Sequence, residues 1–192
     1  MRLLLGLLFT FTFAAFLGLG ATWSVTMRGV SFGGVTIGPW KAQPKMGTTG
    51  IDPYAQAVIA RSGELPLGSG DGVAFVARTD ASGRSLDGRC DVVVSGTTPA
   101  ARFWTLTLYD SEGRLSPNAV GRHGFTSQEL VRRSDGSFEI VAAPKARPGN
   151  WLPTGGIASY LLVLRLYDTP VGVATRAGRE TPMPAITVGD CP

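Results

Sequence analysis

The chain has 192 residues, 44% of them hydrophobic, and a formal net charge of +4. That is one domain's worth of chain with enough apolar residues for a core, and it holds no block of five or six like charges, which excludes a basic nucleic-acid-binding tail. One His and two Cys exclude most protein-only zinc sites, which need about four N, S or O ligands; neither a metal nor a cofactor is expected.

Leu3 to Met27 carry no charge, with Arg2 ahead of them and Arg28 behind. Leu3 to Thr22 has the length of a bilayer-spanning helix, about 20 residues. A cleaved signal peptide would have an apolar core of about 7–15 residues and end at a small-x-small site. Gly18-Leu19-Gly20 and Gly20-Ala21-Thr22 match such a site only loosely. The reading is an uncleaved single-pass anchor, residues 1–23, whose partner is the lipid bilayer through residues 3–22. Arg2 puts its amino terminus in the cytoplasm of a bacterial inner membrane and the domain in the periplasm. The alternative is secretion to the periplasm after signal cleavage; both export the domain.

Residues 24–50 read as a juxtamembrane linker or strand. Ser24 to Gly38 alternates weakly, with Val35 and Ile37 on one side, and Lys41 to Gly50 reads as an extended loop. Inside it, Gly29-Val30-Ser31-Phe32-Gly33 matches the G-x-S-x-G nucleophile elbow. That elbow needs a helix next, and Gly34 to Pro39 is no helix. The domain proper is residues 51–192 and opens on a short helix. Asp52 is placed to cap the free N–H groups and Pro53 stands at the first helical position, where a missing N–H costs nothing. Tyr54, Ala57, Val58 and Arg61 share one face, and Gly63 is the expected stop.

From Val73 on the pattern is β. Val73 to Thr79 and Cys90 to Ser95 read as strands, and Arg102 to Tyr109 alternates by period two, with Arg102, Trp104, Leu106 and Leu108 opposite Phe103, Thr105, Thr107 and Tyr109. Tyr160 to Tyr167 repeats that design, and both runs end in Tyr-Asp. They read as central strands with both faces largely covered. Ser116 to Leu130 is polar and irregular, Phe138 to Ala142 is a strand, Pro148 to Gly156 is a loop, and Pro182 to Val188 is the last strand. Gly and Pro make up about a fifth of the chain (26 and 13 residues), which puts turns and not helices between strands. The fold class is mainly β, an antiparallel β-sandwich of jelly-roll type with one short helix, preceded by a transmembrane helix.

Four groups of residues bear on chemistry. Gly68 to Gly72 is Gly-rich but lacks the Lys and the following helix that a phosphate cradle requires, so it reads as a turn. His123 is a lone His near Ser116, Ser127, Glu129 and Asp135 and reads as a surface residue unless a carboxylate orients it. Asp110 and Glu112 sit in a hairpin turn and read as solvated. Arg102 and Arg165, charges within strand patterns, stand at an edge, pair across the sheet, or line a pocket for an anion.

At Arg102 to Asp110, with Asn118, Arg122, Asp135-Gly136, Asn150-Trp151-Leu152-Pro153 and Leu164-Arg165-Leu166-Tyr167, the chain resembles the bacterial domain of unknown function numbered 1214. Gly38-Pro39-Trp40, Asp52-Pro53-Tyr54, Leu86 to Cys90 and the late Cys191 are similar to its small exported members. The resemblance runs over roughly residues 38 to 191, most specifically 100 to 168, and implies a jelly-roll β-sandwich. It carries over no catalytic residue, and His123 matches none of its motifs.

An exported chain with two cysteines predicts a Cys90–Cys191 disulfide. The long connections holding Asn118, Arg122, Asn150 and Trp151 are expected to cover the ends of the two Tyr-Asp strands, so that Tyr109, Arg165 and Tyr167 join them around one pocket. Arg forks onto an anion, and Tyr and Trp supply walls with a polar edge. The ligand expected is a small anion or a carbohydrate. That holds if the domain binds anything small; the favoured reading of Trp151 is that it plugs the end of the sandwich. No nucleophile, base and orienter stand together in a motif, so a binding or cell-envelope module is favoured over a metal-independent enzyme acting on a small anionic or carbohydrate-like substrate.

Overall fold

The computed structural model describes residues 1–27, 33–62, 66–172, 181–189 and 191. It has two compact units, Met1–Gly33 with Thr49–Pro66, and Gly34–Thr48 with Leu67–Pro192.

The first unit holds two helices. Helix α1, Arg2–Met27, is apolar on every side and buries none of its residues. The hydroxyls of Thr10 and Thr12 donate to the carbonyls of Gly6 and Leu8, four residues back, at 2.8 Å, which satisfies them within the helix itself. Helix α2, Pro53–Ser62, starts as expected: the Ala55 N–H donates to Asp52 Oδ2 at 2.9 Å, the bond of an N-cap. Its buried residue is Ala55, whereas Ala57 and Arg61 of the expected stripe are exposed. The stop expected at Gly63 lies outside the described residues, as does most of the G-x-S-x-G match at Gly29 to Gly33.

The second unit is β. Its strands are β1 (Val35–Ile37), β2 (Trp40–Ala42), β3 (Gly72–Ala77), β4 (Val92–Gly96), β5 (Phe103–Asp110), β6 (Gly124–Thr126), β7 (Phe138–Ala143), β8 (Asn150–Pro153), β9 (Tyr160–Tyr167) and β10 (Ala185–Val188). They form a six-stranded sheet, β1-β2-β3-β9-β5-β6, and a four-stranded sheet, β10-β4-β7-β8. The stretch expected as linker or extended loop therefore contributes the β1–β2 hairpin, and Trp40 within it is fully buried. The expectation of purely antiparallel pairing needs one correction: β7 and β8 are parallel. Parallel neighbours usually need a crossover of about a dozen residues. Here residues 144–149 suffice, because β8 begins opposite Ile140, three residues back from the end of β7. That is a return of roughly 10 Å.

The long strands alternate as their sequences demand. Trp104, Leu106 and Leu108 of β5 and Leu162, Leu164 and Leu166 of β9 point inward and are at most 3% exposed. With Phe75 of β3, Val92 and Val94 of β4, Phe138 and Ile140 of β7, Leu152 of β8 and Ile186 of β10 they make one hydrophobic cluster fed by both sheets. Each fully buried Leu contributes about 1.5–3 kcal/mol by transfer from water. Arg102 lies just before β5 and is exposed, so it is not the first inward residue of that strand.

Two turns share the pattern Asp-x-x-Gly-Arg, at Asp80–Arg84 and Asp110–Arg114. In each, Asp Oδ1 accepts the N–H groups two and four residues on, at 2.9 Å, and Oδ2 accepts the Arg Nε. The motif turns the chain after β3 and after β5, the two strands that flank β9. Asp80 is only 3% exposed; the Ser82 hydroxyl, then the Arg84 N–H and guanidinium, hold its carboxyl down at about 2 against burial, which opposes them. Gly72 is required by close approach: a Cβ there would stand 2.0 Å from the Leu166 carbonyl oxygen.

The disulfide joins Cys90, at the head of β4, to Cys191, across 101 residues of sequence and 4.2 Å between Cα atoms. Nearby, the Gly189 N–H donates to the Asp91 carbonyl at 2.7 Å, and Trp40 Nε1 donates to the Pro184 carbonyl at 2.8 Å. On each edge strand of the four-stranded sheet an arginine takes one carbonyl: Arg84 Nη2 donates to the Val188 carbonyl at 2.9 Å and Arg122 Nη1 to the Trp151 carbonyl at 3.0 Å. Unpaired edge groups invite pairing with another chain, and charged side chains blunt them.

Candidate functional site

The two Tyr-Asp strand ends do not meet. Strands β5 and β9 are adjacent and antiparallel, with Phe103 opposite Tyr167 and Tyr109 opposite Leu161. Tyr109 and Tyr167 therefore lie at opposite ends of the pair, roughly 20 Å apart at about 3.3 Å per residue. A single pocket holding both is ruled out by the register. The Tyr167 ring packs at a tilt against Phe103, ring centroids 5.8 Å apart. Arg165 stands on the outward face with its guanidinium over the Tyr109 ring at 5.4 Å, a cation–π contact.

The other expected residues divide into structural and surface groups. Asn150 is 7% exposed and its amide is spent: Oδ1 accepts the Val131 N–H at 2.8 Å, and Nδ2 donates to the carbonyls of Val131 and Glu139 at 2.9 and 2.8 Å. It ties the segment before β7 to β8. Asn118 closes its own loop, accepting the Arg122 N–H at 3.1 Å and donating to the Arg122 carbonyl at 2.9 Å. Those bonds fix the backbone of Arg122. Its side chain is fixed as well, by the bond to the Trp151 carbonyl and by a stack over the Phe125 ring at 5.3 Å. Trp151 is half-buried, and its Nε1 donates to the Ala143 carbonyl at 3.1 Å. What the indole offers outward is ring carbon.

Asn118, Arg122 and Trp151 are thus brought together, and an open cleft lies on either side of the segment that carries the first two. One, of about 280 Å³, is lined by Asn118, Val120, Pro144, Trp151, Pro153 and Gly156, and is mostly apolar. The other, of about 490 Å³, is lined by Val120, Arg122, His123, Phe125 and Glu129, and is mostly polar. Val120 borders both and is 57% exposed. Neither cleft is lined by Tyr109, Arg165 or Tyr167. Val120, Pro144, Pro153 and Gly156 had no place in the expected site, although Val120 and Gly156 lie in the two long connections and Pro153 in the Asn150-Trp151-Leu152-Pro153 run.

The groups near His123 in sequence are committed elsewhere. Ser116 is buried and its hydroxyl donates to the Thr154 carbonyl at 3.3 Å. Glu129 Oε2 accepts the Thr126 N–H, and Asp135 Oδ1 accepts the Ser137 N–H and hydroxyl. His123 Nδ1 meets the Asn118 amide at 3.4 Å, not a carboxylate. Asp110 and Glu112 both pair with Arg114, at 3.2 and 2.7 Å, as solvated turn residues do. Among the described residues no three His, Cys, Asp or Glu side chains are grouped to hold a metal ion.

Residues 71–171 match the model of a family described as "Protein of unknown function (DUF1214)". The crystal structure of a protein from Vibrio parahaemolyticus is similar at a TM-score of 0.61 and 20% identity, over 90% of this chain and 43% of that one. An uncharacterised protein from Burkholderia cenocepacia is similar at 0.42 and 21%, over 64% of this chain and 30% of that one. The chain thus spans less than half the length of these solved proteins, and the first likeness is one of fold. A search of the curated proteins finds no match.

Proposed function

The chain belongs to the DUF1214 family and carries an apolar N-terminal helix, and from that premise we propose that it is a membrane-anchored, periplasm-facing module of the bacterial cell envelope that binds a small anionic or carbohydrate ligand. We take its two sheets as a sandwich of jelly-roll type, since both feed one core. Helix α1 has 26 residues, about 39 Å at 1.5 Å per residue, enough to cross a hydrocarbon layer of about 30 Å. The disulfide suits an oxidising compartment, and Arg2 as the one charge before the span suits an amino terminus left in the cytoplasm.

The observation that carries the binding reading is Arg122. Five other arginines, at 84, 89, 114, 133 and 147, are each neutralised by a carboxylate. Arg122, like Arg61, Arg78, Arg102, Arg132 and Arg165, forms no ion pair among the described residues, and it alone of these lines one of the two clefts, held in place on its backbone and its guanidinium. A pre-positioned cation beside a concave, partly apolar surface is a binding arrangement. The test is native mass spectrometry of the full chain purified from membranes, wild type beside Val120→Trp, which adds bulk at the residue that borders both clefts. A bound small molecule present in the first and absent in the second supports the proposal. An identical spectrum for both refutes it.

A further inference from the structure

Resting on that reading of the clefts, we infer that the ligand is an acidic saccharide: a sugar ring lies on Trp151 and its acid group reaches Arg122. The indole N–H is used inside the protein, so the ring, with Pro144, Pro153 and Val120 around it, presents carbon only. Such a wall favours the C–H face of a sugar over a polar edge. The Arg122 guanidinium bonds the carbonyl of Trp151 itself at 3.0 Å, which keeps cation and indole within reach of one sugar unit and its substituent. That bond uses Nη1; among the described residues Nε and Nη2, the edge that can fork onto a carboxylate, make no hydrogen bond. Both clefts are open and Val120 borders each of them, which suits a chain of sugars laid across the surface more than a small apolar molecule, which favours enclosure. The Asn118 amide, spent on Arg122, orients the cation and reads nothing.

The experiment is isothermal titration of the full chain in detergent with three probes: a galacturonic acid trimer, the matching neutral galactose trimer, and inorganic phosphate. The acidic trimer is expected to bind at least about tenfold more tightly than the neutral one, the worth of a charge-assisted bond, and to lose that margin as salt rises. Arg122→Gln should erase the margin. Arg122→Lys, which keeps the cation without the fork, should keep part of it. Val120→Trp should abolish both trimers, with melting temperatures recorded for every variant to separate binding from folding. Equal affinities for the two trimers, a margin unchanged in Arg122→Gln, phosphate binding as tightly as the acidic trimer, or no trimer binding at all overturns the inference. Trimers that bind equally in wild type and Val120→Trp overturn the cleft reading beneath it as well.

Discussion

Removing the disulfide by Cys191→Ser is the sharpest probe of how this domain is held. Cys191 is exposed and Cys90 is 5% exposed, so replacing the outer partner leaves no new cavity in the core. What changes is the unfolded chain, which loses a closure across 101 residues. The loop-entropy relation gives a loss of about 4.7 kcal/mol for a loop of about 100 residues. At about 2–4 °C per kcal/mol for a domain of this size, the melting temperature should fall by roughly 9–19 °C. In the folded variant β10 keeps its ladder to β4 and its bonds from Trp40 and Arg84, so the native sheet survives at room temperature. Paired guanidinium titrations, wild type oxidised and variant reduced, read the midpoint and slope, and hydrogen exchange reads β10 separately. A midpoint shift worth less than about 1 kcal/mol, with β10 amides protected as before, would show that the crosslink constrains nothing the rest of the fold does not already fix.

The remaining expectations concern other parts of the chain. Gly72→Ala drives a methyl group to 2.0 Å from the Leu166 carbonyl and should cost more than about 4 kcal/mol or prevent folding, by separating β3 from β9; a soluble variant with a wild-type melting curve would contradict that packing. Asp80 has its carboxyl held at about 2 against about 3.9 in an unfolded chain, so it contributes stability above about pH 4 that is lost as pH falls toward 2. Asp80→Asn should flatten the acid limb of a stability-against-pH curve in that window, and a parallel curve would exclude the role. The N-terminal helix should remain on the mature protein and resist carbonate extraction; N-terminal sequencing of membrane-fraction protein that starts near Ala21 or Trp23 would replace the anchor with a cleaved signal.

The long strands were legible because alternation over eight residues is a strong constraint: Tyr160–Tyr167 emerges with the expected bounds and Phe103–Asp110 one residue later than expected. The cysteine pairing followed from there being two cysteines and an apolar leader. The site was less legible, for reasons of register. Two runs with the same ending look as if they finish together, but antiparallel neighbours finish apart, and nothing within either run says that they are neighbours. Strand β8 was hidden because Asn150-Trp151-Leu152-Pro153 is too short to show a period and contains a Pro. Its parallel pairing depends on the return path through residues 144–149. The family motif did contain Asn150, Trp151, Asn118 and Arg122, but their division into tie, wall, hinge and cation depends on hydrogen bonds that only the folded chain has.

The bond from Trp40 to the Pro184 carbonyl spans 144 residues, and β10, last in the chain, completes a sheet begun at β4. A ribosome adds about 5–20 residues per second, so Trp40 waits roughly 7–30 s after synthesis for its partner. During that interval the emerging chain has strands without their final neighbours and a cysteine without its mate. The four-stranded sheet therefore gains β10 and the disulfide only after the strands before them have been made. A premature stop that removes only β10 and Cys191 would leave an unfinished protein, one whose exposed edge and free thiol mark it for capture by chaperones or proteases.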